Sequence, residues 1–437
     1  MKSRSRLEAH WLPFTANRDF KQRPRLVVGS SGIHLTSADG RPILDALSGL
    51  FCSPAGHGRR EIADAVHKQL LELSYCTSFQ HGHPRAFELA ERLADLLPGD
   101  LDHLFFATSG SDAVDTALKM TLAYHRARGE GQRMRLVGRE RAYHGVNFGG
   151  ISVGGIVPNR EPFGPGLPGA LHLRHTWLPE NRMSRGEPEH GADLADDLER
   201  LCALHGGETI AACIVEPVAG STGCLVPPRG YLTRLREICD AHGILLVFDE
   251  VITGFGRLGS PFAAQRFGVQ PDLVTMAKAL TNGAVPMSAV ATSSGVYRTI
   301  TEAADDQRIE FPHGYTGSAH PVACAAALAA LDVYRDDDLF ARAAGLEEPF
   351  LDAVFSLTEL PVVTDVRGLG LLAGLDLAPD GAPGTRGYRA VQDFFDAGVF
   401  LKVTGDACLL APPFVAEPED LALMVERIRG VLQRYRP

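Results

Sequence analysis

Six short apolar runs separated by helical stretches constrain the fold of this chain more than any other feature. They are Leu104–Ala107, Arg135–Val137, Ile210–Val215, Ile244–Phe248, Leu273–Met276 and Ser288–Thr292. Runs this brief, with helical spacing between them, read as buried parallel strands of an α/β sheet. One intervening helix can be checked by spacing: Leu232, Leu235, Cys239 and His242 share a face, and Gly243 stands where a left-handed cap is expected. A second helical run, Pro321–Tyr334, is rich in alanine.

The two ends of the chain follow a different pattern. A polar arm with Pro13 and Pro24 precedes a strand-turn-strand segment, Ile33–Thr36 and Ile43–Leu47 around Ala38-Asp39-Gly40. The pattern changes to helices and short strands after Gly56-His57-Gly58. Beyond the alanine-rich helix come strand-like segments at Val362–Val366, Gly370–Leu375 and Phe400–Val403, then an amphipathic helix over Glu417–Tyr435. At 437 residues the chain exceeds one compact core. The division expected is an N-terminal arm with part of a small domain (1–57), a large domain (58–330) and a C-terminal small domain (331–437). The Pro/Gly-rich stretch Pro158–Gly169 and the charged Glu180–Asp197 read as surface loops.

Charge and cysteine usage exclude several function classes. A net charge of -10 argues against a nucleic-acid surface and gives no support to an anionic membrane partner. No stretch approaches the roughly 18 apolar residues needed to span a bilayer. The start, MKSRSRLEAHWLPF, is basic without the apolar centre of a signal peptide. The eight cysteines form no CxxC pair, and several sit inside apolar runs, as Cys213 does, so they read as buried reduced thiols. A soluble cytoplasmic protein is expected.

The chemistry concentrates between Ile244 and Val290. Asp249 and Glu250 end one apolar run, and Lys278 lies just past another. In a parallel sheet both would emerge at the carboxyl edge, where open α/β sheets bind ligands. A carboxylate there can pair with a protonated pyridine nitrogen, and a partly desolvated lysine can act as nucleophile and proton shuttle. The same residues could equally be charged strand ends meeting solvent.

Three further segments carry weaker signals. Leu104–Ala107 is followed by Thr108-Ser109-Gly110-Ser111 and a helix over Asp112–Arg126, a cradle for phosphate or simply a good helix cap. Tyr143-His144-Gly145 follows the strand around Leu136-Val137, so Tyr143 could stack on a pyridine ring or be a half-buried tyrosine. Gly254-Phe255-Gly256-Arg257-Leu258-Gly259 matches G-x-G-x-x-G but precedes Ser260-Pro261 instead of opening a helix, and reads as a loop. His81 and His83, and the run Arg139-Glu140-Arg141, lack metal-ligand company and read as structural or solvated.

From Trp11-Leu12-Pro13-Phe14-Thr15-Ala16-Asn17 to Ala411-Pro412-Pro413, the chain resembles the class III (ω-) aminotransferases, and within them the β-alanine/ω-amino acid:pyruvate aminotransferases. The resemblance is carried by YHGVNFGGISVGGI, SRGEPEHGADLADDLERL, VEPVAGSTGCLVPP, FPHGYTGSAHPVACAAALA and DEVITGFGR followed by Lys278. It implies an α/β enzyme of pyridoxal 5'-phosphate (PLP) fold type I, with a mostly parallel seven-stranded sheet and a smaller α+β domain built from both termini. It implies an amine donor, a keto-acid acceptor, and a homodimer or dimer of dimers with shared active sites. It also assigns roles. Lys278 holds the cofactor as an imine and moves the proton; Asp249 pairs with the pyridine nitrogen; Val251 and Tyr143 flank the ring, with His144 beside them. Gly110 and Ser111 bind the phosphate, joined by Thr316 from the partner subunit, and Glu216 lies near the cofactor.

Four positions depart from the family pattern. Its R-x-x-G-D reads Lys402-Val403-Thr404-Gly405-Asp406, exchanging a two-pronged guanidinium for a point charge on the substrate carboxylate. Phe51 replaces the usual tryptophan of the pocket wall, Asn-Ser-Gly-Ser-Glu becomes Thr108-Ser109-Gly110-Ser111-Asp112, and Gly317 stands where tyrosine is common. The leading expectation is an ω-aminotransferase. A PLP-dependent decarboxylase or aminomutase is the alternative, and a PLP-fold protein without catalysis is a third reading that the retained Lys278 disfavours.

Overall fold

The structure, a computed structural model, describes residues 7–436. The first six residues of the basic N-terminal segment, and Pro437, lie outside the described residues. Seven strands form the central sheet: β1 (His103–Ala107), β2 (Arg135–Arg139), β3 (Ala170–Leu173), β4 (Ile210–Val215), β5 (Leu245–Asp249), β6 (Leu273–Met276) and β7 (Ser288–Thr292). Their spatial order is β1-β7-β6-β5-β4-β2-β3, and only β7 runs antiparallel to its neighbours. All six apolar runs are strands of this sheet, and β4, β5, β6 and β7 are buried along their whole length. Helices cover both faces, as a sheet apolar on both sides requires.

The seventh strand, Ala170–Leu173, lies at the sheet edge next to Arg135–Arg139, and Leu173 alone among its residues is buried. The helix read from Leu232 to His242 spans Tyr231–His242, and Gly243 closes it at φ 64°, ψ 33°. Pro321–Asp336 forms one helix, which crosses residue 330.

Two four-stranded sheets complete the molecule. In one, Val27–Ser31, His34–Ser37 and Pro42–Asp45 form an antiparallel meander, and Val399–Phe400 adds in parallel to Pro42–Asp45. This sheet therefore joins both ends of the chain. The other is antiparallel, in the order Val363–Leu369, Leu372–Leu377, Ala407–Leu410, Lys402–Thr404.

The second sheet is locked to the loops of the central unit by a buried charge network. Arg367 pairs with Asp365 at 2.6 Å and with Asp376 at 2.8 Å, and donates to the Gly223 carbonyl at 2.7 Å. Asp365 also accepts from Trp177 Nε1 and the Met183 amide, both at 2.8 Å. Replacing Arg367 with methionine would leave two carboxylates unpaired in or near the interior. The expected loss is about 3–5 kcal/mol of stability, measured by urea unfolding.

Candidate active site

The carboxyl ends of β5 and β6 deliver Asp249 and Lys278 to one cavity of about 350 Å³. Thr108, Ser109, Gly110, Ser111, Tyr143, His144, Glu216 and Val251 share its wall. Residues from separate strand ends thus converge because parallel strands all point their carboxyl termini the same way.

Asp249 is 5 % exposed. Its Oδ2 lies 2.8 Å from His144 Nδ1, and Oδ1 accepts from the Val251 amide and Thr275 Oγ1, both at 3.2 Å. A carboxylate only accepts, so the His144 proton sits on Nδ1. His144 is itself buried, and its Nε2 has no hydrogen-bond partner among the described residues. The neighbouring Glu250 turns the other way. Its carboxylate receives the amides of Ala263 and Ala264 and the Thr253 hydroxyl, capping the helix Ala263–Phe267, and burial pushes it up to about 7.

Lys278 opens a short 3-10 turn, Lys278–Thr281, at φ 49°. Burial pulls its ammonium below the ordinary lysine range, against the opposing pull of the Asp249 and Glu216 carboxylates. The Glu216 carboxyl is pushed up, chiefly by burial; it accepts from the Tyr143 amide at 2.9 Å and the Gly220 amide at 3.3 Å.

At the opposite wall, the helix Gly110–Ala127 starts at the cavity, and the Ser109 hydroxyl caps it by accepting from the Asp112 amide. The Ser111 hydroxyl accepts from the Val146 amide at 3.0 Å. A Cβ on Gly110 would stand 3.2 Å from Val251 Cγ1, so glycine keeps this end of the cavity open. Gly145, at φ 93°, allows the loop after Tyr143 and His144 to lie on Ser111, whose Cα a Cβ there would meet at 2.7 Å.

Comparison with known proteins settles which family uses this arrangement. The family described as aminotransferase class-III matches residues 15–432. The chain belongs to the class-III aminotransferases. It is 58% identical over 428 residues to an omega-aminotransferase of Caulobacter vibrioides, covering 98% of this chain and 97% of that protein. It is 48% identical over 435 residues to a beta-alanine–pyruvate aminotransferase of Pseudomonas aeruginosa, covering 99% and 97%. Among solved structures, an amine transaminase from an uncultivated Pseudomonas species in its PLP-bound form superposes with a TM-score of 0.90. That pair is 36% identical, with 97% and 98% of the two chains covered.

Class-III aminotransferases are PLP enzymes, and the residues of this aminotransferase fit that cofactor. The cavity offers a buried lysine amine with no hydrogen-bonded partner among the described residues at Lys278, a buried carboxylate at Asp249, and a capped helix start at Gly110-Ser111. These complement the aldehyde, the ring nitrogen and the phosphate respectively.

Three expected site residues of the aminotransferase lie outside this wall. Phe51 is 2 % exposed and belongs to an apolar cluster with Leu47, Val218, Ile252 and Leu409. Thr316 is exposed, and its carbonyl accepts from the Tyr75 hydroxyl. Lys402 starts a strand paired to Leu409 and is half-buried; burial first, and then the charge of Lys278, pull its ammonium down to about 8, opposed by Glu216. Cys52, Thr281, Gly283, Val285, Pro286 and Met287 also line the cavity. Sequence reasoning passed over them, because none carries a charge or a strand-end signal.

Among the other motifs, the G-x-G-x-x-G segment is a turn with no helix opening in it. Its Arg257 is buried, donating to the carbonyls of Leu371 and Pro412 and to Ser48 Oγ. Arg139, in the short charge run, is 1 % exposed and donates to the Glu216 carbonyl at 2.8 Å, so it supports the cavity wall. His83 is buried against the Ala319 carbonyl at 2.7 Å. Among the described residues no helix is long and apolar enough to cross a membrane, and no cluster of three metal-ligating side chains occurs.

Proposed function

We propose that this enzyme transfers an amino group from an ω-amino acid or amine to a keto acid such as pyruvate, in two half-reactions run through one cavity. The observation that carries the reading is that Lys278 and Asp249, from the ends of different strands, line the same 350 Å³ space as the helix start at Gly110-Ser111. The names of the Caulobacter and Pseudomonas aeruginosa relatives support this choice of donor and acceptor.

PLP, when bound, supplies an electrophilic carbonyl and an electron-withdrawing ring. Lys278 supplies the proton traffic. With its ammonium destabilised by burial, Nζ would be the group that holds the cofactor and that would take and return the proton at the substrate carbon. Asp249, oriented by His144 Nδ1 and the Val251 amide, would hold the ring nitrogen. Tyr143 and Val251, which line the cavity, would flank the ring. The amides opening the helix at Gly110 and Ser111 take the phosphate, helped by the positive end of the helix dipole. Glu216 bears on the cavity's charge balance from its place beside Tyr143.

The enzyme works in the cytoplasm as a homodimer or dimer of dimers, with Thr316 reaching the phosphate of the partner's site. Eight free thiols, six of them buried, support the first statement. Thr316 is exposed and outside its own chain's cavity, which supports the second. The large exposed apolar side chains Trp11 and Phe14 support it too. The large unit is taken as 58–330, with 1–57 and 331–437 as the smaller one; the strand pairing of Leu44-Asp45 with Val399-Phe400 supports joining the two ends.

Phe51 and Lys402 set substrate choice. Lysine grips a carboxylate at one point where arginine would use two. Lys402→Arg is expected to lower the pyruvate KM by roughly tenfold, about 1.4 kcal/mol. Because the Lys402 ammonium titrates near 8, the pyruvate KM of the parent should rise as the pH passes upward through that value. In the arginine variant this rise should vanish. Steady-state kinetics with pyruvate from pH 6 to 10 checks both.

The test of the function is product analysis with β-alanine and pyruvate. Stoichiometric alanine without carbon dioxide supports aminotransfer. Carbon dioxide release, or turnover without any keto acid, points to the decarboxylase or aminomutase alternative.

A further inference from the structure

The turn that carries Lys278 is tied to distant parts of the chain by side chains: the Tyr334 hydroxyl donates to the Ala279 carbonyl at 2.5 Å, and Asn282 grips the segment before His57. Asn282 closes that turn at φ 51°, ψ 30°, its own amide donating to the Ala279 carbonyl at 2.9 Å. It is 7 % exposed. Its side chain makes two opposed hydrogen bonds to the segment before His57: Oδ1 accepts from the Ala55 amide, and Nδ2 donates to the Gly56 carbonyl, both at 2.9 Å. The Ser53 hydroxyl adds a third link to the Asn282 carbonyl at 3.2 Å.

The segment so gripped is itself tightly folded. Asp45, fully buried, accepts from the amides of Leu47 and Gly49 and lies 2.7 Å from His57 Nε2, closing residues 45–57 into a loop. Ser48, Gly49 and Phe51 all have positive φ within it. Cys52 in this loop and Gly283 beside Asn282 face each other across the cavity wall, and a Cβ on Gly283 would lie 3.0 Å from Cys52 Cβ.

We propose that Asn282 is a positioning residue: its side-chain amide clips the Lys278 turn to residues 53–56 and so fixes the cavity wall around the lysine amine. The proposal rests on Lys278 being the working lysine. Reactive groups displaced by a fraction of an ångström lose rate steeply, so the clip acts on turnover more than on substrate affinity.

Asn282→Gly keeps the left-handed backbone and removes the amide. Asn282→Asp keeps the shape and the acceptor for Ala55 but loses the donor to Gly56. In the holoenzyme, turnover per cofactor-loaded site is expected to fall roughly tenfold or more in the glycine variant, with a smaller fall in the aspartate variant and little change in KM. In the apoenzyme, alkylation of Cys52, followed by peptide mass mapping, should accelerate roughly tenfold as the loop loosens. Should the glycine variant not fold, the aspartate variant carries both readouts. Turnover within about twofold of the parent, or an unchanged Cys52 rate, overturns the proposal. Lys278→Ala is run alongside. If it retains turnover, the reading of Lys278 itself fails; if it is inactive while the Asn282 variants behave as the parent, only the clip fails.

Discussion

Lys278→Ala is expected to lower turnover on the order of 10³- to 10⁴-fold while leaving a folded protein that still takes up PLP. The size follows from what the side chain does. Among the described residues it is the one amine lining the cavity, its ammonium is destabilised by burial, and it is the side chain proposed to move the proton at the substrate carbon. Cofactor retention follows from the groups that remain: Asp249, the helix start at Gly110-Ser111, and the Tyr143 and Val251 walls. Rapid-mixing spectrophotometry of the amine half-reaction alone, at saturating donor, measures the loss without interference from acceptor binding.

Asp249→Asn carries the second large effect, on the order of 10²- to 10³-fold in the same half-reaction. Asparagine keeps the volume and can still accept from the Val251 amide, but it removes the charge proposed to hold the ring nitrogen. It also faces His144 Nδ1 with a neutral amide where the ring donated to a carboxylate at 2.8 Å. The loss should appear in the rate at saturating donor. A variant with the parent's rate would mean that the carboxylate serves packing alone.

The residues differ in how plainly the sequence announced them, for physical reasons. Buried strands are apolar on both faces, so the six runs stood out, but this signal carries no direction: all six were expected to be parallel, and Ser288–Thr292 runs antiparallel to both its neighbours. Ala170–Leu173 did not stand out because an edge strand with one buried residue carries no continuous apolar signal. Asp249 and Glu250 looked alike as a pair. Their opposite orientations follow from strand alternation, which sends one to the cavity and the other to a helix start.

Long-range assembly was the least legible part. The pairing of Leu44-Asp45 with Val399-Phe400, and the Asn282 grip on residues 55 and 56, depend on contacts between segments hundreds of residues apart. Arg139 read as structural or solvated, and the structure decides between the two: it is buried, because the Glu216 carbonyl and the face of Tyr231 receive its guanidinium. Lys402 and Phe51 were singled out through resemblance to known enzymes. The structure puts Lys402 within electrostatic reach of Lys278 and Glu216, and Phe51 in an apolar cluster beside the cavity.

Borohydride reduction of the PLP-loaded enzyme, followed by peptide mass mapping, tests the central claim most directly. A cofactor adduct on the peptide containing Lys278, and on no other lysine, is the expected result. An adduct on Lys402 or any other lysine, or a protein that leaves the experiment unlabelled, would contradict the account.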